Sequence, residues 1–337
     1  MKNITPVSEK NSKTNIDFYG KRKIFYGISI GLLLICLIVN FIVGTKLDIQ
    51  FTGGTVLKYS YSGTVSESDM TKVIQDATKQ TINCQYSESL SATDSVNNKI
   101  VSIEFTDVDT ITPDEQETIT DALAKAYPDN NIEVSESSSV SANMGKSFLL
   151  KCLAAVLLAG VLMLVYVAVR FRKIGGWSAG AMALVGLLHD VLFVYFSFVI
   201  FGMPLDDNFI AVVLVLIGYS LNATIIIYDR IRENRRIMGY KASLSDIVNK
   251  SINQCLGRTI NTTISTLIAV LSVLVVAIVF GLDSVISFAL PMVVGVIVGC
   301  YQSNCIAVSL WTTLQIKKKK KLAEKSKDKK NNNSAQK

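Results

Sequence analysis

The sequence predicts a polytopic α-helical membrane protein, with six transmembrane helices and one extracytoplasmic α+β domain between the first and second. Three observations carry this expectation. Apolar residues make up 50% of the 337 and arrive in blocks. A bilayer core of roughly 30 Å takes about 20 mostly apolar residues per helix, and six blocks meet that length. The net charge of +7 is patterned, with Lys and Arg crowding alternate connections, as the positive-inside bias requires.

The first span is Phe25 to Val43, within a helix placed at 24–44 after a cytoplasmic tail at 1–23. Lys21-Arg22-Lys23 before an apolar run also fits a cleaved leader. The run is longer than a leader's apolar core, however, and no small-x-small site clearly follows, so a retained anchor is expected. The later spans are Phe148 to Val169, Trp177 to Phe201, Phe209 to Tyr228, Ile260 to Phe280 and Val285 to Trp311, all within 146–312. Gly281, Leu282, Asp283 and Ser284 form the hairpin between the last two. The basic connections are Arg170 to Lys173, a loop at 229–259 and a disordered tail at 313–337, so both termini are expected in the cytoplasm. The acidic connections carry Asp206, Asp207 and Asp283 and face outward. The basic balance is thus a topology signal rather than a sign of nucleic-acid binding.

Residues 45–145 form the outer domain. Thr55 to Tyr61 alternates apolar and polar residues, as a half-buried strand does. Ser66 caps a helix over Glu67 to Lys79, whose apolar stripe is Met70, Val73, Ile74 and Ala77. Ile82 to Ser87 and Ile100 to Phe105 read as two more strands. Thr112-Pro113-Asp114-Glu115 combines a cap, a proline at the first helical position and first-turn acids. The helix that it starts ends near Tyr127, before Pro128, and Ile132 to Val140 supplies the fourth strand. The order β-α-β-β-α-β is that of a ferredoxin-like fold. Phe51, Gly53 and Gly54 stand where the membrane helix joins the first strand. The glycine pair reads as a turn more readily than as a phosphate loop. Cys84 is the one cysteine in this domain, so it has no internal disulfide partner. A single histidine in the chain argues against a His- or Cys-based metal centre, and no cofactor is expected.

Ionisable groups at hydrocarbon depth are costly and are functional candidates by default. His189 and Asp190 fall near the middle of the third span, where an Asp costs about 2.5–3.5 kcal/mol on an insertion scale. Two readings stay open: a proton-carrying carboxylate facing the bundle interior, and a buried pair that ties helices together. Asn222, at mid-depth in the fourth span beside Ser220, reads first as interhelical glue. Asp229 and Arg230 read as a solvated helix end. Arg258 is an inner-face anchor whose stem can snorkel. It precedes a run of hydroxyls and an amide (Thr259, Asn261, Thr262, Thr263, Ser265, Thr266) that anchoring does not explain. Gly295 and Gly299 permit close helix approach, and Gln302, Ser303 and Asn304 follow.

Four stretches together resemble one family. IGYSLNATIIIYDRIREN at Ile217 to Asn234, QFTGGT at Gln50 to Thr55, HDVL at His189 to Leu192 and GRTINTTISTL at Gly257 to Leu267 are similar to motifs of SecF. SecF is a subunit of the bacterial SecDF protein-export complex, in the resistance-nodulation-division superfamily. The resemblance implies pairing with SecD, action beside the SecYEG channel on unfolded preprotein at the outer face, and use of the ion-motive force in the cell membrane. The Lys-rich tail from Lys317 is expected to attract anionic membrane lipids, and neither nucleic-acid contact nor enzymatic activity is expected. The resemblance also marks two departures. The Asp that many members place after the Asn of the fourth helix, the leading ion-coupling position, is Ala223, and the usual Asp of the first motif is Gln50. Ala223 cannot carry a proton. Asp190 and His189, with Asn222 and Arg258, are therefore the remaining coupling candidates, and coupling would be shared with carboxylates of SecD. The competing readings are a scaffold without coupling, an ion-driven exporter of small molecules or lipids, and an intramembrane enzyme. The last lacks a serine–histidine dyad. Coupling further requires that His189, Asp190 and Asn222 all face one hydrated seam.

Overall fold

The computed structural model describes residues 16–78, 82–88, 99–105, 111–239 and 242–335. The expected tail before residue 16 and the helix end at Lys79 lie outside these. Helix α1 (Arg22–Val43) ends at Gly44, whose φ of 79° breaks the helix. A one-turn helix, α2 (Ile49–Thr52), is capped by Asp48, which accepts from the Gln50 amide.

The α/β domain follows, with strands β1 (Gly54–Tyr61), β2 (Ile82–Glu88), β3 (Lys99–Phe105) and β4 (Glu133–Val140), and helices α3 (Glu67–Thr78) and α4 (Pro113–Ala126). The strand order is β2-β3-β1-β4, with antiparallel neighbours throughout. That is the split βαβ arrangement expected of the element order. Leu57, Tyr59, Tyr61, Val101, Ile103 and Phe105 are buried on one sheet face, against Met70 and Ile74 of α3 and Ile119 and Leu123 of α4. The period-2 pattern of β1 and β3 thus places a full apolar set under two helices. Thr112 and Glu115 form the complete capping box of α4.

Helices α5 (Ala142–Arg170), α6 (Gly176–Ile200), α7 (Asp207–Met238), α8 (Leu244–Phe280), α9 (Asp283–Gln302) and α10 (Val308–Ala335) complete the fold. Together with α1 they provide six candidate membrane spans, the last formed by α9 running on into α10. Helices α6 and α7 form the centre of the bundle, whereas α1, α5 and much of α8 present apolar side chains outward.

Two expectations are corrected. The connection at 229–259 is not a loop. Helix α7 continues to Met238, and α8 starts at Leu244 behind its Ser243 cap. The two arms are bonded by Asn234 to Ser251 and Gln254, and by Arg230 to Gln254. Extending a helix already nucleated in the membrane adds one bond per residue, so polar residues join it cheaply. The same logic governs 313–337: the helix runs through the Lys-rich segment to Ala335, because Lys, Ala and Glu are good helix formers. The sixth span is found as expected and contains a π-helical turn, Ser303–Ala307.

The α/β domain is fastened to the bundle at two places. Phe51 stacks on Phe148 of α5 at 5.8 Å between ring centroids. Leu47 and Leu205, in the α6–α7 connection, form a parallel bridge. Gly53 and Gly54 hold φ of 81° and 136°, so the junction glycines serve the turn expected of them. A Cβ on Gly54 would meet the Phe105 carbonyl at 2.4 Å.

Candidate functional site

Asp190 is a carboxylic acid inside the bundle with none of its surface exposed. It lies about 21 Å along α6 from the helix start at 1.5 Å per residue, which is mid-depth. Four helices converge on it. Its Oδ2 accepts from Ser220 Oγ of α7 at 2.5 Å. Its Oδ1 lies 3.3 Å from His189 Nδ1, and His189 Nε2 lies 3.1 Å from Ser29 Oγ of α1. One tautomer satisfies both contacts: Nδ1–H donates to Asp190, and Ser29 donates to Nε2. Helix α9 closes the site through Gly299, where a Cβ would lie 3.6 Å from Asp190 Oδ2.

The polar chain continues past Asp190. Ser220 Oγ is 3.1 Å from Gln302 Oε1, and Ser303 Oγ is 3.2 Å from that same oxygen. Thr224 Oγ1 donates to Ser303 Oγ at 3.2 Å. Ser29, His189, Asp190, Ser220, Gln302, Ser303 and Thr224 therefore make one buried hydrogen-bonded series. Charge at Asp190 can be stabilised here only by the histidine and the serine, and a proton on it can be accommodated by reversing the serine bond.

The other intramembrane candidates lie elsewhere. Asn222 follows Ser220 by two residues, about 200° around the helix. It is exposed, and it lines a crevice of about 20 Å³ with Tyr219, Ala223, Thr259, Thr262, Thr263 and Cys300. Ala223 thus stands beside α8 rather than beside Asp190. The condition of one shared seam is not met within this chain: His189 and Asp190 are sealed in polar packing, while Asn222 faces out. Arg258 is exposed on α8, one residue before Thr259. It lines a cavity of about 450 Å³ with Tyr166, Arg170, Asp229, Arg230, Glu233 and Gln254. Asp229 bridges Arg170 and Arg232, and Arg230 pairs with Glu233 at 2.6 Å. These are partly solvated pairs of small energetic weight, and Asp229 and Arg230 lie within α7, which runs on to Met238, rather than at a helix end.

Ser29 and Thr224 were not singled out from the sequence. Thr224 was legible as the i+4 neighbour of Ser220 on one helix face. Ser29 was a lone hydroxyl in an apolar run, and nothing local distinguishes it.

A second polar space, about 480 Å³, separates the open face of the sheet from the ends of the bundle. Its lining includes Asp48, Glu104, Glu136, Asp206, Asp207 and Asp283, with Lys58 as the basic side chain. Lys58 is held by Glu136 at 2.7 Å. Burial first, and then the charges of Asp206 and Asp207, pushes the Asp48 carboxyl above the usual carboxylate range. Burial also raises that of Asp206, against the bonds from Asn208 and the Phe209 amide.

Comparison with known proteins agrees with this architecture. The model of the family described as protein export membrane protein SecD/SecF, C-terminal, matches residues 118–317. A protein translocase subunit SecF from Calditerrivibrio nitroreducens is 35% identical over 299 residues, covering 88% of this chain and 93% of the relative. That of Petrotoga mobilis is 31% identical over 298 residues, covering 87% and 94%. The crystal structure of a SecDF from Thermus thermophilus shares the fold, with a TM-score of 0.74 at 23% identity over 90% of this chain and 39% of that one. A SecDF in a super-membrane-facing form gives 0.62 at 24% identity, over 93% and 40%. This chain therefore spans about two fifths of the length of those two-part proteins. A match of 200 residues to the family model and relatives aligned over nine tenths of their length lead to one conclusion: the chain belongs to the SecD/SecF family of protein export membrane proteins.

Proposed function

We propose that this chain is a SecF-type accessory subunit of the Sec translocase, which joins a SecD half and promotes protein export across the bacterial cell membrane. The observation that supports this best is the alignment with translocase subunits SecF over more than nine tenths of their length. In this reading both termini and the α7–α8 hairpin are cytoplasmic, and the α/β domain lies outside, facing emerging preprotein near SecYEG. The charge pattern supports that orientation. The partner half covers the polar flank made by Asn222, Asn261, Thr262 and Ser265, all exposed in this chain. Amides and hydroxyls at hydrocarbon depth are ordinarily covered by protein rather than lipid.

The ion-motive force acts here through Asp190, the carboxylate sealed between α1, α6, α7 and α9. Asp190→Asn preserves shape and removes the proton site. In an export assay with the SecD-type partner present, the variant is expected to lose the gradient-dependent part of translocation. Equal export with and without a gradient in the parent, unchanged in Asp190→Asn, would remove coupling from this chain. Ala223 and the closed packing of Asp190 favour one second reading, a scaffold that positions SecD without coupling. That outcome would establish it.

A further inference from the structure

Ser220 carries one hydroxyl proton and faces two side-chain acceptors, Asp190 Oδ2 at 2.5 Å and Gln302 Oε1 at 3.1 Å. A hydroxyl donates one hydrogen bond. We propose that Ser220 is a positioning residue that transmits the protonation state of Asp190 to Gln302 and so to the π-helical turn of the last span. This inference rests on the reading above that Asp190 takes up a proton.

With Asp190 ionised, Oδ2 can only accept, so Ser220 donates to it and Gln302 Oε1 loses that donor. With a proton on Oδ2 the bond reverses. Asp190 then donates to Ser220 Oγ, and the serine hydroxyl rotates to Gln302. No proton crosses the serine; the proton taken from water stays on the carboxyl.

Gln302 is the last residue of α9, and Ser303 opens the π turn. The Ser303 hydroxyl lies 2.8 Å from the Gly299 carbonyl and 3.2 Å from Gln302 Oε1. A buried acceptor left without a donor is costly. In the ionised state the Ser303 hydroxyl is therefore drawn from Gly299 toward Gln302. The Gly299 carbonyl also receives the Ser303 amide, so the change falls on the carbonyl where helical register shifts. π turns recur at functional sites, and α10 runs directly from this one. The packing leaves room for the arrangement. A Cβ on Gly186 would lie 1.4 Å from Gln302 Nε2, and one on Gly299 would lie 3.4 Å from Ser220 Oγ. Among the described residues, His189 is the titratable group that faces Asp190. Helices α1, α7 and α9 present Ser29, Ser220 and Gln302, which do not titrate.

The test uses the full chain with its SecD-type partner in lipid vesicles, with the six native cysteines replaced. Infrared difference spectroscopy follows the carboxyl band that Asp190→Asn abolishes. Nitroxides at Leu322→Cys on α10 and Ile237→Cys on α7 report helix position across the same pH range. The expected result is a shift in spin-spin distance that shares its midpoint pH with the Asp190 band. In Ser220→Ala and in Gln302→Leu the band still titrates but the distance shift is lost, and Ser220→Thr restores it. A shift that persists in both variants, with the band titrating, overturns the proposal. A parent protein in which no Asp190 band titrates overturns the underlying reading and this inference with it.

Discussion

Leu47 and Leu205 pair as an isolated parallel bridge, and the bonds around it are reciprocal. Asp48 N donates to Leu205 O at 3.0 Å, and Leu205 N donates to Lys46 O at 2.9 Å. The stem of the α/β domain is thereby tied by backbone to the α6–α7 connection, whose Leu205 side chain is buried in a cluster with Phe198 and Val212.

Leu205→Pro removes one of these donors. The lost bond is worth about 0.5–1.5 kcal/mol, and the variant is read as faster hydrogen exchange at the Asp48 amide than in Leu205→Ala, which loses the buried side chain but keeps the donor. Unchanged exchange at Asp48 would mean that the bridge does not hold the domain.

Docking of the domain should depend on pH through Asp48 and Asp206. Both carboxyls are raised when docked, so the docked state keeps protons that the released state gives up. Stability is therefore full below the ordinary carboxylate value of about 4 and is lost as pH rises through the raised values. Protection of amides 48–53, corrected for intrinsic exchange rate, should fall as pH rises above the ordinary carboxylate value of about 4. Asp48→Asn should flatten this dependence.

The junction should not tolerate side chains. Gly54→Ala places a methyl 2.4 Å from the Phe105 carbonyl, and Gly145→Ala places one 2.8 Å from Gly53 N. In both cases the obstacle is backbone, which cannot rotate away. A cost of about 1–3 kcal/mol each is expected, seen as easier proteolysis of the α/β domain. Gly202→Ala, where a Cβ meets nothing within 4 Å but φ is 68°, is the control for strain alone.

The exposed polar flank should matter only in the complex. Asn222→Leu and Asn261→Leu should leave the isolated chain as stable as the parent, and each should weaken co-purification of the SecD-type half. Each lost interhelical bond is worth about 0.6–2 kcal/mol. Undiminished pairing in the double variant would place the partner on another face.

The domain was readable from sequence because its signals are local. Leu57, Tyr59 and Tyr61 alternate, and Thr112 to Glu115 spell a helix start. The positions of the six spans were readable for the same reason, since length and apolarity are properties of single segments. The polar site was readable only in part. His189 and Asp190 announce themselves by their cost at mid-depth, but which helix answers them depends on rotation about each axis. Asn222 and Ser220 are two positions apart and face opposite ways, so depth alone grouped residues that packing separates. The π turn at Ser303–Ala307 depends on contacts with α7 and had no local mark. Helix propagation through 229–238 and 244–259 was masked by charge, which signals solvent rather than coil.

At the near end of the described chain, Ile16 exchanges bonds with Asn253 in both directions, and the Tyr19 amide donates to Asn249 Oδ1. Phe18 is buried between them. These partners are separated by 237 and 230 residues, so this segment finds that seat only after α8 has been made. At ribosomal speeds of 5–20 residues per second, that is a wait of roughly ten to fifty seconds. Through that interval these hydrogen bonds are unmade, which makes closure of this clasp a late milestone of biogenesis, after the α/β domain, which precedes α8 in the chain, has been synthesised.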